Sequence, residues 1–186
     1  MFHLTLLLSD ILAQTKYIPR ALLLTVLIAA GWIYLQEKNS EWRKPAGILK
    51  HWRIGLFVLY LCFILMSTVF SRKITNPYRN VLTHFFFRSG DVKWNNEIIE
   101  NVLFFIPYTV FFLLAFRPKK PWMAALIVSA ATTCLVEFSQ LILWLGDFQL
   151  ADMLHNTIGG MIGCAGWQLA QILAEKKRLG KRKEQA

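Results

Sequence analysis

Apolar residues in this chain come in long unbroken runs, not in the alternating or amphipathic patterns of a soluble domain. Two early runs, 18–35 and 54–71, are each close to the roughly 20 residues that a helix needs to cross about 30 Å of hydrocarbon. A third, 101–116, is shorter and carries Pro107 in its middle, which a membrane helix tolerates when neighbouring groups satisfy the freed carbonyl. Two more follow at 122–145 and 153–173. The opening "MFHLTLLLSDIL" is apolar but shorter than a span and lacks the basic start of a signal peptide, so it reads as an interfacial helix. The pattern predicts an all-α integral membrane protein. It has about five transmembrane helices in a small bundle, preceded by an N-terminal interfacial segment.

Composition agrees with this class. Over 186 residues the hydrophobic share is 55%, with 14 Phe and 7 Trp, and the mean hydropathy is +0.41. The formal charge of +10 is then an orientation signal, because Lys and Arg accumulate in short loops left on the cytoplasmic side. Residues 36–53 hold five, "RPKKP" three and the tail after Leu173 six, all on one side. The opposite side has seven: Lys16, Arg20, Arg72, Lys73, Arg79, Arg88 and Lys93. The two-to-one bias places the C-terminus in the cytoplasm and the "GDFQLAD" connection outside. The basic tail, 174–186, can also lie against anionic lipid. Nucleic-acid binding is discarded, since the topology rule accounts for the charge.

Against this background Glu137 stands out, in the stretch "CLVEFSQLILW". It lies seven residues before Trp144, about 10 Å below the outer end of its helix, and Gln140 shares its face at i+3. In the next helix, "DMLHNTIGG" places Asp152, His155 and Asn156 at i, i+3 and i+4 on one polar face. A link of about seven residues makes the two helices antiparallel neighbours, so these faces can meet. Asn101 approaches the same level from the helix containing Pro107. An acidic residue near a helix centre costs roughly 2.5–3.5 kcal/mol to insert, so Glu137 should face the bundle. The cluster serves either as interhelical glue, at about 0.6 kcal/mol per bond, or as a functional site, with Glu137 and Asp152 the candidate bases.

Other features narrow the reading. "GGMIG" gives the small-xxx-small pairs Gly159 with Gly163 and Gly160 with Cys164, suited either to intramolecular packing or to a homodimer through Gly159 and Gly163. The usual phosphate-loop, zinc-protease and serine-hydrolase motifs are absent. Cys62, Cys134 and Cys164 lie singly in three different spans, so no metal site and no cofactor are expected. The segment 72–100 mixes "HFFF" and Trp94 with Arg79, Arg88 and Lys93. This suits a stretch at headgroup level, where Arg79 and Arg88 would match a phosphate bidentately.

The order "ENVLFFIPYTVFFLL" and then "SAATTCLVEFSQLILWLGDFQLADMLHNTIGGMIG", with "TNPYRNV" upstream, resembles the VanZ-like family over roughly residues 76–166. The family's recurrent polar positions fall on Asn101, Pro107, Glu137, Gln140, Asp152 and Asn156. Two departures are visible: Gly146 stands where a basic residue is common, and Thr109 where a glycine is usual. The resemblance implies a protein of the bacterial cytoplasmic membrane, with a founding member associated with low-level teicoplanin resistance. The expected partners are membrane lipids or lipid-linked envelope precursors. The expected ligand set is Asn101, Glu137, Gln140, Asp152 and Asn156, with Arg79 and Arg88. An intramembrane enzyme that modifies an envelope lipid or glycan, and a structural scaffold, are the alternatives. The expected organisation is an N-terminal segment (1–17), two helices (18–71), a core of an external segment plus three helices (72–173), and the basic tail.

Overall fold

The computed structural model describes residues 4–36, 45–70, 74, 86, 91–145 and 148–184. They form helices α1 (Leu4–Gln14), α2 (Ile18–Gln36), α3 (Pro45–Thr68), α4 (Val92–Phe116), α5 (Pro121–Leu143) and α6 (Leu150–Glu184), with a short 3-10 turn, Thr15–Tyr17, joining the first two. The described residues contain no named strand; an antiparallel bridge pairs Ile74 with Leu145. This is an all-α, multi-pass membrane protein.

Among the described residues, four helical stretches are long and apolar enough to cross a membrane: Leu4–Trp32, His51–Thr68, Val92–Phe116 and Pro121–Leu143. Two details differ from the sequence pattern. The N-terminal stretch expected to lie at the interface is helical and joins α2 in one apolar run from Leu4 to Trp32. The fifth expected span, in α6, is long enough but falls short in apolar content. Its inward face carries Asp152, His155, Asn156, Gly159, Gly160 and Gly163, all buried among the other helices. Hydropathy counts these residues against insertion although they do not meet lipid.

Local signals set the ends of the C-terminal helices. Asp91 caps α4, its Oδ1 accepting from the Trp94 N–H at 3.0 Å, which occupies a donor the first turn cannot use internally. Arg117 ends α4 in a left-handed conformation (φ 47°), and Pro118 after it cannot continue the helix. Pro121 opens α5, and Trp144, also left-handed (φ 59°), closes it.

α4 is the central element and presents two different faces. Towards α3 it is aromatic. Phe57 meets Tyr108, Phe112 and Phe116 at ring separations of 5.5, 5.7 and 5.5 Å, and Tyr60 meets Phe111 at 5.4 Å. Such pairs contribute about 0.5–1.5 kcal/mol each beyond their buried area. Tyr60 also donates to the Phe104 carbonyl at 3.0 Å, one residue from the Leu103 carbonyl that Pro107 leaves without its helical donor.

Towards α6 the backbone of α4 is itself exposed to contact at Val102 and Ile106. A Cβ on Gly159 would lie 2.2 Å from the Val102 carbonyl oxygen, and one on Gly163 would lie 2.4 Å from that of Ile106. The small-xxx-small pair therefore packs against α4 within the chain. Because 102 pairs with 159 and 106 with 163, α4 and α6 run parallel, with α5 antiparallel to both.

Candidate functional site

The ends of α3 and α5 and the starts of α4 and α6 meet at one end of the bundle, and the polar side chains singled out from the sequence gather there. Glu137 is 1% exposed. Its Oε2 accepts from the backbone N–H of Gln149 at 2.8 Å. Gln149 immediately precedes α6, so the carboxylate of one helix sits at the N-terminus of the next, where unsatisfied N–H groups and the helix dipole favour negative charge. The six residues from Glu137 to Leu143 put this contact about 9 Å from the end of α5.

Gln140, on the same face, donates from Nε2 to the Thr68 carbonyl at 3.0 Å and so ties α5 to the end of α3. Its Oε1 is buried with no hydrogen-bond partner among the described residues. Asp152, in the first turn of α6, accepts from Asn101 Nδ2 at 2.7 Å, linking α6 to α4. Asn156 donates to Thr133 Oγ1 at 2.8 Å, linking α6 to α5. All five expected side chains on these helices therefore lie in one region, each on the element predicted for it. Arg79, Arg88 and Gly146 lie outside the described residues.

The polar region is deeper than the sequence motifs indicated. Below Asn156 and Thr133, Thr109 Oγ1 and Ser129 Oγ share a hydrogen bond at 3.1 Å, and Tyr108 Oη and Thr132 Oγ1 share one at 2.6 Å. Ser129, Thr133, Glu137 and Gln140 recur at helical spacing along one side of α5, and that periodicity was the available signal. Thr109, noted above only as a departure from a resembling family, is a member of this polar column. It belongs there together with Gly160. A Cβ at residue 160 would fall 2.0 Å from Ser129 Oγ and 2.9 Å from Thr109 Oγ1, so the two hydroxyls take the space a larger side chain would need.

Chemically, the column offers carboxylate, amide and hydroxyl groups in a region shielded from water. His155 is buried in α6 one turn from Asp152. Among the described residues no group of three or more His, Cys, Asp or Glu side chains converges closely enough to hold a metal ion. The three cysteines, at 62, 134 and 164, are free thiols.

No curated protein and no solved structure matches the chain. A family model described as VanZ/LLP1 matches residues 55–171, a stretch that includes α4, α5, the aromatic half of α3 and every polar side chain described above. With the family's matched region covering more than half of the sequence and the polar positions gathered at one end of the bundle, the chain belongs to the VanZ/LLP1 family.

Proposed function

We propose that this VanZ/LLP1 protein resides in a bacterial cytoplasmic membrane with its C-terminus in the cytoplasm, and that the polar end of the bundle takes the head group of an envelope lipid or lipid-linked amphiphile. The observation that carries the reading is the convergence of two carboxylates, Glu137 and Asp152, beside an amide whose Oε1 acceptor is unused, all inside a bundle that otherwise meets hydrocarbon. The two-to-one distribution of Lys and Arg supports placing that end outside, where lipid-linked wall precursors and lipoglycopeptide antibiotics meet the membrane. In this reading Glu137 and Asp152 accept hydrogen bonds from hydroxyl or amide donors of the head group, Gln140, Asn156 and Asn101 orient it, and the guanidinium groups of Arg79 and Arg88 are the chemical match for a phosphate. Protection against teicoplanin-type antibiotics follows if the occupied site alters the precursor or the antibiotic's hold on the membrane.

A second reading is favoured by one specific contact. Glu137 caps the start of α6, and a purely structural carboxylate would do the same. The two are separated by expressing wild type, Glu137→Gln and Glu137→Ala at matched membrane levels in a Gram-positive host and measuring teicoplanin susceptibility. Glutamine keeps a carbonyl acceptor for the Gln149 N–H, so a scaffold tolerates it, whereas a head-group site loses its anion. Protection by wild type that is lost in Glu137→Gln supports the site; equal protection by wild type and Glu137→Gln assigns Glu137 to the scaffold.

A further inference from the structure

Beside the polar column, on the lipid-facing side of the α4–α6 pair, lies a half-open cavity of about 410 Å³. Its walls are Ile98, Val102 and Leu103 of α4 and Leu154, Ile158 and Ile162 of α6. From Leu154 to Ile162 it runs for eight residues, about 12 Å along the helix, against roughly 15 Å for one leaflet of a bilayer core. One end differs from the rest. There His155, the one polar side chain among the described lining residues, sits within a turn of Asp152 and next to Asn156, and Phe86 completes the wall, tied by the hydrogen bond from Trp94 Nε1 to its carbonyl at 3.0 Å.

The geometry points to this groove as the seat of one acyl chain, belonging to the lipid whose head group occupies the polar cluster. The inference rests on the head-group reading above and adds where the lipid's tail goes. Three observations favour a chain over a second copy of the protein. One wall is α4, a helix long and apolar enough to cross the hydrocarbon, and the other is the exposed apolar face of α6 at Leu154, Ile158 and Ile162, so chains are the available apolar partner. Its depth matches one leaflet and it begins at the polar end. Its walls are branched Ile, Val and Leu, whereas the glycines that would allow another helix close approach are already packed inside against α4.

The test uses the full chain in nanodiscs of phosphatidylethanolamine and phosphatidylglycerol, doped with phosphatidylglycerol carrying a photoactivatable diazirine either at mid-chain or on the head group, with labelled residues mapped by mass spectrometry. The mid-chain probe should label residues 98–103 and 154–162 well above the exposed Leu22, Leu23, Val26, Leu27 and Ile28 of α2. Ile158→Trp, which fills the groove from an exposed position, should reduce that labelling at least about tenfold, a loss of roughly 1.4 kcal/mol, while head-group labelling near the α5–α6 connection persists. Leu154→Trp, at the mouth, gives an independent variant should the first fold poorly. Equal labelling of α2 and the groove, unmoved by either tryptophan, overturns the inference. Chain labelling in the groove without head-group labelling at the polar end keeps the chain site and overturns the head-group reading. An intermolecular disulfide formed by Leu154→Cys, with the groove shielded from the chain probe, makes a second copy the occupant and overturns it as well.

Discussion

Replacing Gly159 by alanine adds one methyl group where α6 lies directly on the backbone of α4. Its Cβ would lie 2.2 Å from the Val102 carbonyl oxygen, and ordinary contact begins at 3.4 Å, so α4 and α6 must part by about 1.2 Å. The obstacle is backbone and cannot rotate away. A rigid separation of that size would stretch the Asn101–Asp152 bond from 2.7 Å to about 3.9 Å, beyond hydrogen-bonding distance. Overpacking of this kind costs about 1–3 kcal/mol, and each polar bond lost between membrane helices adds about 0.6 kcal/mol. The matched control is Gly166→Ala on the same helix, where an added Cβ meets nothing within 4 Å. There alanine's better helix propensity should leave stability unchanged or raised by up to about 1 kcal/mol. Equilibrium unfolding in mixed micelles, followed by circular dichroism, should separate the two variants by about 2 kcal/mol or more. Equal stability of the two would refute the close-packed crossing and the parallel register of α4 and α6 built on it.

Other expectations follow from the same contacts. Gly160→Ala should destabilise, and the cost should shrink in a Ser129→Gly background, which removes both the Oγ and the Cβ that the new methyl would strike; a double-mutant cycle should give a coupling of about 0.5–3 kcal/mol, and strict additivity would show the hydroxyls are not the obstacle. Tyr60→Phe should cost only about 0.6 kcal/mol by removing the bond to the Phe104 carbonyl while keeping the aromatic packing, so a loss of several kcal/mol would mean that Tyr60 does more. For orientation, a cysteine at Lys119 in a background lacking the native thiols should react with impermeant maleimide only from the cytoplasmic side, and one at Trp144 only from outside; the reverse pattern would invert the proposed topology.

The helices that carry the polar positions were legible from apolar run length, and Glu137, Gln140, Asp152 and Asn156 were legible because polar side chains in such runs are few. What the runs concealed was the lower half of the column. Ser129, Thr133 and Thr109 are small and only weakly polar, so they barely disturb the hydropathy of α4 and α5, and their role depends on which turn of the neighbouring helix faces them. The groove was hidden for a related reason: Ile158 and Ile162 look like any lipid-facing residues until the glycines on the opposite side of α6 draw the helix close to α4. The same glycines explain why α6 falls short on hydropathy, since a face of Gly, Asn, His and Asp next to α4 and α5 never meets lipid. The partner of Glu137 was not legible at all, because it is the backbone N–H of Gln149, and a main-chain donor leaves no trace in residue identity.

The parallel, directly packed arrangement of α4 and α6, which α5 separates in the sequence, has a consequence for how the chain is made. Helices emerge from the ribosome in order, so α5 enters the bilayer before the helix that receives Glu137 and Thr133 exists. Until α6 arrives, that carboxylate and the Thr133 hydroxyl lack their final partners, although the Thr109–Ser129 and Tyr108–Thr132 bonds can already join α4 to α5. A chain in which α5 has emerged and α6 has not therefore holds α5 at its least settled point, and the arrival of the last helix commits the whole C-terminal half to its fold.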